Sequence, residues 1–456
     1  MSQNRILIGA VNSGSGKTTI TCGLMQALIN RKQKVTSFKC GPDYIDPMFH
    51  SKVIGADSRN LDSFFNDENT VRYLMKEGMK NSDISVVEGV MGYYDGVSLK
   101  DTTASSYEIA KITDTPVILV VNCRGMSISV LPVIKGFLEF KKDSKIKGVI
   151  LNNMSKMIYT DIKELIEEEL NIKVLGYVPK LTDCTIESRH LGLVTPNDIS
   201  DLKKKLNVLA ECLEETIDID EIIKIAGQAP EIQCEEVKVP KIESRLKIAV
   251  ALDEAFCFYY KDNLNILERM GAKIEYFSPL RDKCVPEDAD GLILGGGYPE
   301  LYAKALSENK SMLKSIKSVI DNDMPVLAEC GGFMYLHDRL QDKDENYYDM
   351  AKVIKGESFK TNRLGRFGYI EVSALSDNYL FSKGESIMAH EFHYWNSTNC
   401  GEKFMARKTL RKKDWKCIHV INNLIAGYPH FNYYSNLNIP YRFLKKCENY
   451  RGLKWI

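Results

Sequence analysis

Two stretches of this 456-residue chain hold residue types at spacings that do chemistry. The first is Gly14-Ser15-Gly16-Lys17-Thr18-Thr19. Glycines let a backbone wrap closely around phosphate groups, and a helix starting there points free N–H groups at them. Lys17 would neutralise the β- and γ-phosphates, and the Thr18 hydroxyl would hold Mg²⁺. The strict pattern has glycine six residues before the lysine. Val11 stands there, so the loop is a variant. The second stretch is Pro325-Val326-Leu327-Ala328-Glu329-Cys330-Gly331-Gly332. An apolar strand, a nucleophile and two small residues make the sharp strand-to-helix turn that exposes a reactive group. A helix beginning at the cysteine would lower the thiol pKa and favour thiolate.

Each stretch needs helpers. Glu88 ends the apolar run Val86-Val87-Glu88 ahead of Gly89, where a carboxylate can complete a magnesium shell. Residues 38–47 crowd Lys39, Asp43 and Asp46 together. Alone, this loop reads as a turn; beside a phosphate loop it reads as part of the site. The expected nucleotide contacts are therefore Gly14, Gly16, Lys17, Thr18, Thr19, Lys39 and Asp43. The expected metal ligands are Thr18, Glu88 and Asp43. A thiol catalyst needs a base, and His390, His393, His419 and His430 all follow Cys330. The triplet Gly295-Gly296-Gly297 could present N–H groups as an oxyanion hole.

These residues must sit on ordered elements. Apolar runs at 5–11, 35–39, 84–88, 116–122, 147–152 and 173–178 alternate with helical patterns such as 18–30. Such alternation predicts a parallel sheet with helices on both faces, so the fold class is α/β. From Ile223 to Ile242 the helical period is lost and the chain reads as a linker. A second α/β pattern starts near Lys247, with strands at 247–252, 273–277, 291–294 and 325–328. The expected division is a first domain over 1–222, a linker over 223–245 and a second domain over 246–456.

Composition narrows the function classes. Lys+Arg and Asp+Glu are 61 each, so a nucleic-acid-coating surface is not expected. With 44% hydrophobic and 27% charged residues, a packed core is expected rather than a disordered chain. No run approaches the roughly 20 apolar residues that span a bilayer. The twelve cysteines never form Cys-x-x-Cys and follow no secretion signal, so they read as reduced thiols in the cytoplasm. The seven histidines form no spaced set with them, and no zinc site is expected.

Several further segments occur in a telling order. They are Asn12–Thr19, Gly41–Pro47, Glu88–Gly92, Asp95-Gly96, Glu187–Leu193, Asp253–Tyr260, the glycine triplet, Ala328–Gly332 and His390–Tyr394. Together, over nearly the whole chain, they closely resemble the cobyrinic acid a,c-diamide synthase family. The resemblance implies a dethiobiotin-synthetase-like P-loop domain followed by a class I glutamine amidotransferase domain. It implies Cys330 as nucleophile and His430, in Ala426–Phe431, as its base. Gly427-Tyr428-Pro429 departs from the more usual Ser-Tyr-Leu. Asn432 stands two residues after His430, where class I enzymes often carry Glu, which leaves the third triad member open.

The implied reaction is ATP- and Mg²⁺-dependent amidation of two carboxylates of cobyrinate with ammonia from glutamine, a step of cobalamin biosynthesis. The implied partners are small molecules, a tetrapyrrole polycarboxylate and glutamine, with no nucleic acid and no membrane; a homo-oligomer is compatible with this. Arg189 and His190 are candidates either for anion contacts or for packing. The same segments suit Ni-sirohydrochlorin or hydrogenobyrinate as the substrate. A P-loop nucleotide-dependent switch is the reading from another class, and it gives the Cys330 half no role.

Overall fold

Apolar runs of five to seven residues in the first half pair side by side as parallel strands. The computed structural model describes residues 3–181, 196–362, 364–409 and 413–454. The strands are β1 (Arg5–Ala10), β2 (Val35–Cys40), β3 (Asp57–Leu61), β4 (Ile84–Glu88), β5 (Val117–Asn122), β6 (Ile146–Asn152) and β7 (Lys173–Val178). Their order across the sheet is β3-β2-β4-β1-β5-β6-β7. β1, β2 and β4 are buried along their whole length, as strands covered by helices on both faces must be. Edge strand β3 reads Asp-Ser-Arg-Asn-Leu, too polar to be recognised from pattern. The ladder sets Lys39 of β2 and Ile8 of β1 on either side of Glu88.

The helix Lys17–Asn30 follows β1 and buries Ile20, Leu24, Ala27 and Leu28. A helix over Ile219–Gly227 corrects the expected linker, which was placed from Ile223 onward. Ile219, Ile222, Ile225 and Ala226 are buried, and the Asp218 side chain caps the helix by accepting from the Glu221 amide. Residues 228–245 then hold neither helix nor strand. The chain divides into two units, Met1–Val237 and Lys238–Ile456. The start of the irregular segment is tied to the first unit. Arg5, fully buried, donates to Pro230 O at 2.6 Å and Thr113 O at 2.9 Å, and the Ile232 amide donates to Gln3 Oε1 at 2.7 Å.

The second unit is built on β8 (Leu246–Ala251), β9 (Ala272–Phe277), β10 (Gly291–Leu294) and β11 (Val326–Glu329). Strand Leu424–Gly427 pairs parallel with β11, and His419–Ile421 closes that edge antiparallel. Two further sheets, of four and five strands, come from residues 337–431. The α/β pattern alone did not foretell them, because several of their strands are short and polar, as in His337–Gln341 and Tyr347–Asp349, although Arg366–Ala374 and Ser386–His393 run nine and eight residues. The five-stranded sheet sets Ser386–His393 beside His430–Phe431, with His390 opposite His430. No helix among the described residues is long and apolar enough to cross a membrane.

Arg5→Ala removes a buried donor and leaves several carbonyl acceptors in need of a partner. It should cost about 2–4 kcal/mol in urea unfolding and speed amide exchange over residues 229–235. A loss under about 0.5 kcal/mol would contradict this account of the segment's anchor.

Candidate active sites

At the end of β1 the chain turns through Gly14 and Gly16, at φ +81° and +90°, before the helix begins at Lys17. Gly16 is required twice over, since a Cβ there would also lie 2.1 Å from Asn152 Nδ2. Asn152, at the end of β6, pins the loop by donating to Ser15 O at 2.8 Å. Lys17 Nζ reaches across to Met91 O at 3.1 Å, and Thr19 follows in the first helical turn. Burial, with Lys39 nearby, pulls the Lys17 pKa below its ordinary value.

Thr18, Lys39 and Glu88 meet at the strand ends. Thr18 Oγ1 donates to Glu88 Oε1 at 2.6 Å, and Lys39 Nζ lies 2.9 Å from the same oxygen. Lys39 Nζ is also 2.5 Å from Asp46 Oδ2, and His50 Nε2 is 3.2 Å from Glu88 Oε2. Burial alone would neutralise Glu88. Lys39, His50 and the Thr18 hydroxyl overcome it and hold the carboxyl well below its usual range. Asp46 goes the other way, raised to about 6 by burial and by the Glu88 charge. Asp43 faces its own loop: Oδ1 accepts from the amides of Ile45 and Asp46 at 2.7 and 3.2 Å.

His50 was not singled out from sequence, although Asp46 and His50 lie four apart on consecutive helical turns, Ile45–Phe49 and His50–Ile54. Among the described residues no group of three or more His, Cys, Asp or Glu could hold a metal ion. A cation beside Thr18 and Glu88 would thus need phosphate and water oxygens to complete its shell. The touching hydroxyl and ionised carboxylate fit that role.

The elbow forms at the end of β11. Cys330 has φ +46° and ψ −100°, a costly conformation for a side-chain-bearing residue. It is held by the Cys330 amide donating to Gly427 O at 2.8 Å and the Gly332 amide donating to Gly295 O at 2.8 Å. A Cβ on Gly332 would lie 2.2 Å from Leu294 O. The expected thiolate does not follow. Burial pushes the Cys330 thiol well above its ordinary value, and Glu300, Glu391 and Glu329 push it further. The Gly331 N–H opposes them, but it opens a helix of only five residues.

His430 is buried and presents its Cε1 edge to the glycine triplet: a Cβ on Gly296 would lie 2.5 Å from His430 Cε1. Its Nδ1 lies 3.5 Å from Glu329 Oε2. His390 is kept neutral, its pKa lowered to about 3 by burial and by His430. His393 stacks on Tyr428 at 3.7 Å and lies 2.8 Å from Glu391 Oε1. His419 Nε2 bonds Asn399 O at 3.0 Å. Within the triplet, the Gly295 amide donates to Tyr259 Oη at 2.8 Å and drops out as an oxyanion donor. Burial raises Glu300, in the turn after the triplet, to about 7. Arg189 and His190 lie outside the described residues.

Comparison with known proteins places this geometry. Residues 6–194 match the family described as the CobQ/CobB/MinD/ParA nucleotide binding domain, and 247–437 the CobB/CobQ-like glutamine amidotransferase domain. The chain is 42% identical over 449 residues to the cobyrinate a,c-diamide synthase of Caldanaerobacter subterraneus subsp. tengcongensis, covering 97% of this chain and 98% of that one. The chain belongs to the cobyrinate a,c-diamide synthase family. The Priestia megaterium member is 39% identical over 451 residues, covering 98% of each chain. The phosphate loop and the elbow fall in separate domains of this family, one in each matched segment.

Gly296→Ala tests the elbow's packing. The added methyl would sit 2.5 Å from His430 Cε1 and 3.2 Å from Phe258 Cβ. Displacing an imidazole by about 1 Å should cost on the order of 100-fold in glutamate release from glutamine. ATP binding should be unchanged; unaltered glutamate release would show that His430 does not need this position.

Proposed function

We infer that the chain is an ATP-dependent carbon–nitrogen ligase that converts the a and c carboxylates of cobyrinate to amides with ammonia from glutamine, in cobalamin biosynthesis. The observation that carries this reading is the presence, in a member of this family, of a strand–loop–helix phosphate site and a strand–cysteine–helix elbow together. The reaction is placed in the cytoplasm, in keeping with described cysteines that form no disulfide.

At the elbow the Cys330 sulfur attacks as a base takes its proton. His430 takes the Cys330 proton, sulfur adds to the glutamine carboxamide, and the same proton leaves with ammonia. Water then cleaves the thioester to glutamate and restores the thiol. Developing oxyanion charge falls to backbone N–H groups of the triplet other than Gly295. At the phosphate loop a substrate carboxylate takes the γ-phosphoryl group of ATP, giving an acyl phosphate and ADP. Ammonia displaces phosphate and leaves the amide. Gly14, Gly16, Lys17, Thr19 and Lys39 position the phosphates and balance their charge. Thr18 and Glu88 would hold Mg²⁺, which would neutralise charge on the transferred group, and Asp43, bonded within its own loop, is the weaker candidate.

Two variants test the division of labour. Cys330→Ala should lose amidation with glutamine and keep it with ammonium salt at raised pH, where NH₃ is more abundant. Lys17→Ala should lose amidation from either nitrogen source, by a factor of 100 or more if the lysine carries transition-state charge, roughly as for other charge-stabilising groups. It should still release glutamate. A Cys330→Ala variant at the wild-type rate with glutamine, or a Lys17→Ala variant making normal product, would overturn these roles.

A further inference from the structure

We propose that Glu329 is the carboxylate partner of His430, standing in for the acidic residue that the chain lacks two positions after that histidine. The inference rests on His430 being the base, and it adds a positioning residue to that site. Asn432 occupies the vacant position; its buried Oδ1 has no hydrogen-bond partner among the described residues, and an amide cannot balance an imidazolium.

The carboxylate arrives by another route. In the ladder between β11 and Leu424–Gly427, Glu329 is opposite Gly427. The chain leaving that strand passes Glu329 again within three residues, at His430. Glu329 Oε2 then lies 3.5 Å from His430 Nδ1, while Oε1 accepts from the Phe431 amide at 3.2 Å. The backbone bond fixes the carboxylate beside the imidazole. The other edge of the ring faces the triplet, with a Cβ on Gly296 placed 3.3 Å from His430 Nε2. The triplet in turn packs on the elbow: a Cβ on Gly331 would lie 3.1 Å from Gly297 N.

The two nitrogens therefore divide the work. Nε2 takes the thiol proton and later gives it to the departing ammonia. Nδ1 lies at an ion-pair distance of 3.5 Å from Glu329 Oε2; the Glu329 charge balances the imidazolium formed in between, and the contact tightens as that charge develops. Across the strand pair His390 brings no positive charge to the ring, since burial keeps it neutral. One strand end thus delivers both the nucleophile and the group that orients its base.

Glu329→Gln keeps the side chain's size and an oxygen for the Phe431 amide but removes the charge. It should lower kcat for glutamate release by on the order of 10²- to 10⁴-fold, with the KM for glutamine little changed. Amidation driven by ammonium salt should match wild type, which reports an intact fold. Glu329→Asp keeps the charge and should retain more activity than Glu329→Gln. Wild-type kcat in Glu329→Gln, or equal activity in the Gln and Asp variants, would overturn the proposal. Without any variant of Glu329, ¹⁵N spectra of histidine-labelled protein should show His430 as the Nδ1–H tautomer; the Nε2–H tautomer would overturn it as well. His430→Ala separates the two claims. If it still releases glutamate, the base assignment itself fails. If it is inactive while Glu329→Gln is fully active, only the role of Glu329 fails.

Discussion

Both sites depend on main chain coming closer to its neighbours than any side chain would allow. At the phosphate loop, Gly16 passes where a Cβ would be 2.1 Å from the Asn152 amide nitrogen. At the elbow, Gly332 passes where a Cβ would be 2.2 Å from Leu294 O. Each approach is clamped by a hydrogen bond with a neighbouring strand end: Asn152 donates to Ser15 O, and the Gly332 amide donates to Gly295 O. Parallel strands deliver such ends to one edge of a sheet, which is where ligands bind in folds of this kind. The backbone path that carries Lys17 and Cys330 is one that only glycine can complete at positions 16 and 332.

The two sites solve the charge problem in opposite ways. The phosphate site is ionised in advance. Glu88 is fully buried yet charged, because Lys39 and His50 flank it and Thr18 donates to it. Removing one member would leave a buried charge without compensation, a costly state. The elbow is neutral in advance. Burial first, and then the carboxylates around it, push the Cys330 pKa up.

Much of the first unit was legible because buried parallel strands are continuous apolar runs, as in Ile84–Glu88, and because glycines mark where they end. The partnership of Lys39 with Glu88 was only half visible: both residues stood out, but their ladder register did not. β3 was hidden by its polar composition, and the helix Ile219–Gly227 by its nearness to the irregular segment after it. In the second unit the elbow was legible from its glycines. The thiol's surroundings were not, since burial, which no local pattern announces, works against the five-residue helix that follows the cysteine. Glu329 was read as part of the cysteine motif. Its approach to His430, 3.5 Å across the fold, follows from strand pairing between segments far apart in sequence.

On this reading one chain draws ammonia from glutamine and fixes it on two carboxylates of cobyrinate. The most direct measurement supplies the purified protein with ATP, Mg²⁺, cobyrinate and glutamine carrying ¹⁵N in its side-chain amide, and reads the product by mass spectrometry. The account predicts a product with two new amides, both labelled, and ADP formed in step with them. An unmodified cobyrinate, with amides formed instead on hydrogenobyrinate or Ni-sirohydrochlorin supplied in parallel, would contradict the substrate. Amides without label, or glutamate released with no amide on any tetrapyrrole, would contradict the coupling of the two sites.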